Sequence, residues 1–464
     1  MIIGSDTLSR ELHGMLAGLA SNTVEPASQA AVLDAACTLA AELRRRHDVA
    51  ALDDITQSGY DLAKRLGTEI PAGSPAGAEA VRAHLATWLA RSGDGRLDPT
   101  VATELLRWEA DLGALPEPAV RQQTMAEDMS RKLAVSMSRQ SPVWQGRVVS
   151  CTQMHGGFGK TTHLAEIETA TGTTEVVVRS MRPTMLLDLP SQQVDREFYL
   201  CSYLFRHGIR VPEPLWLETD PDVTALPFMV CRRMPGDIFG TAVSATPVSG
   251  VQVRDMAFEL ARIHAVGRGD ADDENLRRSA IDPDQFDATL SDVVREYIDS
   301  WHRIWRGLEL EPNPGVEATL MWLDEAMPAV DDSPVFLHGD YALHNVLLES
   351  DGISAVLDWE LSRVGDRAEE LSWLFSATSG SIDPGEFMAA YVEAGGRPVD
   401  EFRLRYYEVL SHLKLLVVCL ESQLRFEQLS EPEPAYCRFG LGLVQHPMQA
   451  LAGAIERAEV ARPK

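Results

Sequence analysis

Lysine is nearly missing from this chain. Of 42 basic residues only Lys64, Lys132, Lys160, Lys414 and Lys464 are lysines, and the rest are arginines. Positive charge is scarce as well: 69 acidic residues leave a formal net charge of −27. That balance argues against nucleic acid or an anionic membrane surface as a partner. It would suit a cationic substrate, although charge this diffuse is commonly a solubility feature. Cysteine is sparse and scattered, at positions 37, 151, 201, 231, 419 and 437, with no CxxC pair and no Cys/His ligand spacing. Neither a disulfide framework nor a zinc site is expected, and reduced thiols in a cytoplasmic setting are. The first residues, "MIIGSDTLSRELHG", lack a basic stretch followed by an apolar core, so no secretory leader is expected. The apolar run "LKLLVVCLESQ", 413–423, is far too short to cross a bilayer.

A missing glycine excludes one nucleotide motif. The stretch "MHGGFGKTTH", 154–163, ends in Gly159-Lys160-Thr161 but has Met154 where a Walker loop needs its first glycine. That loop also needs a helix after it. Here a Thr-Gly-Thr turn signal and the β-branched run Thr173–Val178 follow, which read as a hairpin. The other glycine-rich nucleotide loop joins two antiparallel strands and covers the phosphates, as in protein kinases. Residues 146–153, "GRVVSCTQ", would be its first strand. Taken alone, the stretch reads as a flexible hairpin tip.

The rest of the chain divides by pattern. Residues 1–140 are rich in Ala, Leu, Glu and Arg at helical spacing, as in "AAVLDAACTLAAELRRRHDV", and carry no chemical constellation. They read as an all-helical domain for packing, self-association or a protein partner. From 141 to 235 come short β-branched runs interrupted by one helix, "SQQVDREFYLCSYLFRHG", which Gly208 stops. That order predicts an α+β arrangement, an antiparallel sheet with one helix packed on it. Residues 236–464 are mainly helical: "VRDMAFELARIHAVG", "ATLMWLDEAMPA", "RAEELSWLFSAT", "PGEFMAAYVEAGG" and "FRLRYYEVLSHLKLLVVCLESQLRFEQL".

One segment breaks the helical pattern: "VFLHGDYALHNVLLESDGISAVLDWE", 335–360. A short strand delivers His338-Gly339-Asp340 into a loop, and Asn345 follows five residues after the aspartate. A hairpin turning at Ser350-Asp351-Gly352 places Asn345 at the start of one strand and Asp358 at the end of the other, on one edge. Phosphoryl transfer needs Mg²⁺ on the nucleotide phosphates and a group to receive the acceptor proton. Mg²⁺ takes oxygen ligands, so Asn345 and Asp358 are the metal candidates and Asp340 the catalytic base. Base, amide and carboxylate follow the kinase catalytic-loop spacing.

These motifs resemble the aminoglycoside phosphotransferase and choline kinase-like family, whose HGDxxxxN is matched by His338–Asn345 and whose DWE is matched by Asp358-Trp359-Glu360. "HGDYALHNVLL" and "AVLDWELSRVGD" are most similar to kinase-like domains associated with acyl-CoA dehydrogenases, with His344 where those carry Asp. The resemblance covers roughly 145–445 and leaves out the N-terminal helices. It implies a two-lobed protein-kinase-like fold, with a small antiparallel-sheet N-lobe and a helical C-lobe, behind the helical N-terminal domain. It also implies ATP and Mg²⁺, and a small-molecule hydroxyl acceptor. In that frame Gly156, Gly157 and Gly159 let the backbone approach the phosphates. Arg179, in "EVVVRSM", takes the place of the strand lysine, and Glu197 is its helix partner. Backbone groups from Cys231 to Arg233 would meet the adenine edge. Lys160, at the loop tip, is a second candidate cation for a phosphate, with a solvated lysine the stronger expectation; His264 is expected to be a satisfied structural histidine, and Asp366 a helix cap or loop brace.

Only seven residues separate Asp358 from Asp366. That leaves no room for a protein-kinase activation segment, and HGD lacks the arginine that reads its phosphate. A small-molecule acceptor is therefore expected: a hydroxyacyl-CoA or hydroxy acid first, an amino sugar second. The alternative is a nucleotide-binding pseudokinase that regulates or scaffolds a partner through its N-terminal helices.

Overall fold

The structure, a computed structural model, describes residues 118–154, 160–182, 186–187, 189–241, 244–308, 310, 313–329, 331–378, 380–428 and 445–463. The expected helical domain over 1–140 falls almost wholly outside these residues, and so do Gly156, Gly157 and Gly159. The chain forms two compact units, 1–121 with 418–445 and 122–417 with 446–464. Nearly all described elements belong to the second.

Its first part is an α+β layer. Helix α1 (Pro118–Ser138) precedes strands β1 (Gly146–Met154), β2 (Lys160–Thr169) and β3 (Gly172–Met181). Helix α2 (Val194–Arg206) then leads to β4 (Pro214–Glu218) and β5 (Phe228–Arg232). The sheet order is β1-β2-β3-β5-β4, antiparallel throughout. Because strand side chains alternate, each strand serves two cores. Ala165 and Ile167 of β2, Val176 and Val178 of β3, and Phe228 and Val230 of β5 turn to one face. There they meet Met129, Leu133 and Met137, spaced four apart on α1. Trp216 completes this core and donates its indole N–H to Ser136 Oγ at 3.1 Å. On the other face Met181 and Met229 pack with Val194 of α2. Arg179 alternates with Val178, so it projects to the α2 side.

The second part is mainly helical. It contains α3 (Gly250–Ile263), α4 (Leu290–Gly307) and α5 (Pro314–Glu325). After the strands come α6 (Arg367–Ala377), α7 (Pro384–Glu393), α8 (Glu401–Gln428) and α9 (Gln445–Ala461). Ser249 and Gln252 form a capping box that starts α3. Two strand pairs interrupt the helices. β6 (Val335–Leu337) pairs with β9 (Arg363–Gly365), and β7 (Val346–Glu349) pairs with β8 (Gly352–Val356). A core that includes Leu260, Tyr341, Trp359, Leu371, Phe387 and Tyr391 lies beneath them. Helices α4 and α9 are not among the segments that the sequence pattern above singles out. Among the described residues no helix is long and apolar enough to cross a membrane.

Candidate active site

The β7–β8 hairpin does what its sequence promises. The N–H of Leu357 bonds Asn345 O at 2.7 Å, so Asn345 and Asp358 meet at one end. Asn345 donates its Nδ2–H groups to Asp340, at 3.0 Å to the carbonyl and 2.8 Å to Oδ2. Its Oδ1 is left as the group with capacity to bind. Trp373 of α6 donates its indole N–H to Asp340 Oδ1 at 2.7 Å. His344 Nε2 lies 3.2 Å from Asp340 Oδ2. Burial alone would lower the His344 pKa, but the hydrogen bond and charge of Asp340 outweigh it and raise it.

The loop before Asp340 is held from below. Glu370, buried on α6, accepts the N–H of His338 at 2.9 Å and of Gly339 at 2.7 Å. His264 stands 3.3 Å from the same carboxylate and 2.7 Å from the Tyr391 hydroxyl, a satisfied buried histidine as expected. Burial opposes ionisation of Glu370, yet the bonds and charges from His264 and His338 carry its pKa below the usual carboxylate value. Gly339 sits at φ +87°, and a Cβ there would run into the Leu361 carbonyl. Glycine is thus required at this turn for two reasons, conformation and space. Asp366 caps α6 through Ala368 N and pairs with Arg403, so bracing the loop falls to Glu370.

Across from the loop is a chain of charges. Arg179 forks between Glu197 and Asp358, with Nη2 2.6 Å from Asp358 Oδ1 and Nη1 on Glu197 Oε1. This is the strand-cation and helix-carboxylate pair expected from the sequence. Lys160 departs from expectation. It is not solvated: its side chain is 1% exposed, with Nζ 2.9 Å from Glu197 Oε2 and 2.5 Å from Glu360 Oε2. A buried ammonium is costly unless paired, and here two carboxylates meet it. Burial would push Asp358 up, but the charges of Arg179 and Lys160 hold it at about 2. Burial and the neighbouring Asp358 charge push Glu360 up to about 7. Asp358 itself takes a left-handed conformation, φ 64° and ψ 65°, which is rare for a non-glycine residue. Such strain concentrates at functional sites.

The oxygen donors fit Mg²⁺, which is usually held by one or two carboxylates together with substrate phosphates. Among the described residues no cluster of three or more His, Cys, Asp or Glu could hold an ion by itself. Toward the other end of the sheet, Cys231 is buried and pairs with Val177 and Pro214 on its two sides. The N–H groups of Arg232 and Arg233 bond Glu213 O and Glu175 O. The backbone leaves the sheet after Arg233. The sequence reading missed Trp373, Glu370 and the burial of Lys160. Trp373 and Glu370 sit on the helix that starts right after Asp366, the one signal that could have found them.

A five-stranded antiparallel sheet with one helix, joined to a helical part that carries an HGD loop and a β-hairpin ending in Asp358, defines a two-lobed kinase-like phosphotransferase fold. The Phosphotransferase enzyme family (APH) model matches residues 152–407, more than half of the chain, and the chain belongs to that family. Among solved structures, an aminoglycoside phosphotransferase-like protein from Ralstonia eutropha superimposes with a TM-score of 0.52 at 21% identity, covering 72% of this chain and 98% of that one. Among curated proteins, acyl-CoA dehydrogenase family member 11 of Gallus gallus is 29% identical over 189 residues, 39% of this chain and 23% of its own length. The Homo sapiens member 11 is 25% identical over 241 residues, 50% of this chain and 29% of its own length. The chain thus matches less than a third of the length of these relatives.

Proposed function

We propose that this chain is an Mg²⁺- and ATP-dependent phosphotransferase that phosphorylates a hydroxyl group of a small molecule. The observation that carries the reading is the direct contact of Asp340 with Asn345, with Asp358 at the end of the same hairpin. In the reaction the acceptor oxygen bonds to the γ-phosphorus and the bond to the bridging oxygen breaks. ADP leaves, and the acceptor proton passes to Asp340. Trp373 and Asn345 orient that carboxylate. Asn345 Oδ1 and the free oxygen of Asp358 would hold Mg²⁺, which neutralises the phosphate charge when bound. Gly156, Gly157 and Gly159 would cover the phosphates, and the chain around Cys231 and Arg233 would meet the base.

The acceptor reading keeps a hydroxyacyl-CoA or hydroxy acid first. It rests on the likeness to acyl-CoA dehydrogenase family members. It is also supported by Arg363 and Lys414, which share the single carboxylate of Glu369 beside the Tyr297 ring. Burial raises the Tyr297 phenol's pKa, but the charges of Lys414 and Arg363 bring it down to about 7, so an anionic acceptor group would share these cations with Glu369 and Tyr297. Glu369 lies one turn before Trp373, on the helix that touches Asp340. An amino sugar is the second candidate. A pseudokinase scaffold is less well supported, because a non-catalytic module has no use for Asp340, Asn345 and Asp358 together.

The test is an acceptor screen over hydroxyacyl-CoAs, hydroxy acids, amino sugars and amino alcohols, with ADP release as readout. Asp340→Ala should lose at least about a hundredfold in turnover. If no compound releases ADP faster than buffer, the scaffold reading replaces this one.

A further inference from the structure

We propose that Tyr297, Arg363 and Lys414 form the subsite that takes an anionic group of the acceptor, and that Tyr297 gates it, admitting the anion as a phenol and shutting it out as a phenolate. The inference rests on the phosphotransferase reading above and adds a binding mode and a regulation to its acceptor site.

Four elements bring the group together. Tyr297 and Trp301 lie one turn apart on α4, with ring centroids 6.4 Å apart and planes at 88°. Arg363 comes from β9, its guanidinium carbon 3.3 Å from the centre of the Tyr297 ring. Lys414 comes from α8, with Nζ 5.5 Å from the Tyr297 centroid and 5.9 Å from that of Trp301. Glu369 of α6 pairs with both cations, at 3.0 Å from Lys414 Nζ. From these elements the phenol meets two cations and one carboxylate.

Exposure differs across the group. The side chain of Glu369 is 4% exposed, whereas those of Arg363 and Lys414 are 18% and 20% exposed. The bonds to Glu369 and to the Val364 carbonyl leave N–H donors on both cations. Tyr297 is half-buried beside them. Trp301 is buried, and its indole N–H has no hydrogen-bond partner. Buried polar groups nearly always have one. An unmet donor close to a lysine and a tyrosine marks a place that a ligand oxygen would complete.

The group stands on the elements that hold the proposed base. Arg363 pairs with Leu337 in the β6–β9 ladder, and Asp340 follows three residues after Leu337. Glu369 adjoins Glu370, which accepts the N–H groups of His338 and Gly339. It also lies one turn before Trp373, which donates to Asp340. One ladder and one helix thus carry both the anion subsite and the carboxylate that would receive the hydroxyl proton. The ligand class is a hydroxylated molecule with a carboxylate or phosphate group.

The gate follows from charge. Burial raises the Tyr297 pKa, but the charges of Lys414 and Arg363 outweigh it and bring it down to about 7. As a phenol, Tyr297 donates its O–H to an incoming oxygen and leaves the cations to the anion. As a phenolate it only accepts, and it neutralises the charge that the anion needs. The phenol predominates below about pH 7, so the anion binds best there and more weakly as the pH rises through that value. If only the phenol form binds, apparent affinity follows its fraction and falls about tenfold from about pH 6 to about pH 8.

The competing explanation is an ion network that merely ties α4 to β9, α6 and α8. Phenolate absorbance, measured by ultraviolet difference spectroscopy on the full-length wild type, Y297F and K414M, separates the two. Wild type should show one tyrosine ionising near neutral pH that Y297F lacks. K414M should move that ionisation upward by about one unit or more, since a favourable charge is gone. Two anions are then added separately, 3-hydroxybutyrate and coenzyme A. An anion held by the cations favours the protonated phenol, so by linkage it should shift the wild-type midpoint upward. A shift with 3-hydroxybutyrate alone assigns a carboxylate, and a shift with coenzyme A alone assigns a phosphate. Uncharged 3-hydroxybutyramide should shift nothing.

Kinetics supply the second readout. For an anionic acceptor that releases ADP, KM should rise about tenfold from about pH 6 to about pH 8 in wild type and stay nearly level in Y297F. A midpoint indifferent to both anions, an equal shift with the amide, or the same KM profile in Y297F would each overturn the inference while ADP release still upheld the phosphotransferase reading. An anion-dependent midpoint without ADP release from any acceptor would instead overturn the phosphotransferase reading, and with it the assignment of this site to an acceptor.

Discussion

The indole N–H of Trp373 donates to Oδ1 of Asp340 at 2.7 Å, while Asn345 Nδ2 donates to Oδ2 of the same carboxylate at 2.8 Å. The two donors fix the plane of the carboxylate proposed to take the acceptor's proton. Trp373→Phe keeps the ring and deletes one donor. A hydrogen bond to a charged group is worth roughly 1.5–3 kcal/mol, so kcat should fall by roughly tenfold or more. The KM for ATP should stay near that of wild type, because the contact that Trp373→Phe deletes is the one to the proposed base. Steady-state kinetics with varied ATP checks both.

Gly339 stands at φ +87° under the Leu361 carbonyl. Gly339→Ala should cost about 1–3 kcal/mol through backbone strain, with more from the collision. Urea unfolding should show a lower midpoint at an unchanged slope. Activity should suffer as well, since the same peptide unit is gripped by Glu370.

His163 is buried beneath α1 with neither ring nitrogen hydrogen-bonded. Burial is the main cause that lowers its pKa to about 4, against a smaller opposing pull from Asp128. The folded chain thus binds its proton later than the unfolded chain, whose histidines titrate near 6.5. Its stability contribution is whole above about pH 6.5 and is lost as the pH falls toward 4. Melting temperature should drop between pH 7 and 5, and His163→Leu should flatten that part of the curve. An unchanged acid profile in the variant would contradict the account.

Helix α1 belongs to the packing of the sheet: Leu133 is fully buried among Ile167, Val176 and Val178. Leu133→Ala should destabilise the protein by about 2–5 kcal/mol, which calorimetry would record as a lower melting temperature. A surface helix would show almost none of this.

How much the sequence told depends on how far apart the partners lie. Asp340, Asn345 and Asp358 were legible because a hairpin of fixed length joins them. Arg179 and Glu197 were legible as a strand cation followed by a helix carboxylate. The burial of Lys160 was not, because Glu360 is 200 residues away and no local pattern marks a lysine as interior. The grip of Glu370 and Trp373 on the HGD loop was hidden for the same reason: helix register decides which of their neighbours face the loop. Helix α4 is a different case. Thr289 caps it, and Leu290, Val293, Val294, Ile298, Trp301 and Trp305 form its buried stripe. That spacing was there to be read.

The central claim is that Asn345 and Asp358 hold a divalent ion on the phosphates of ATP. It is tested most directly by thermal unfolding with ATP, with and without Mg²⁺, in wild type, Asn345→Ala and Asp358→Ala. Binding to the folded state raises the melting temperature. The account predicts a rise in wild type that requires Mg²⁺ and ATP together, and that is largely lost in both variants. A rise of equal size in Asp358→Ala, or one indifferent to Mg²⁺, would contradict it.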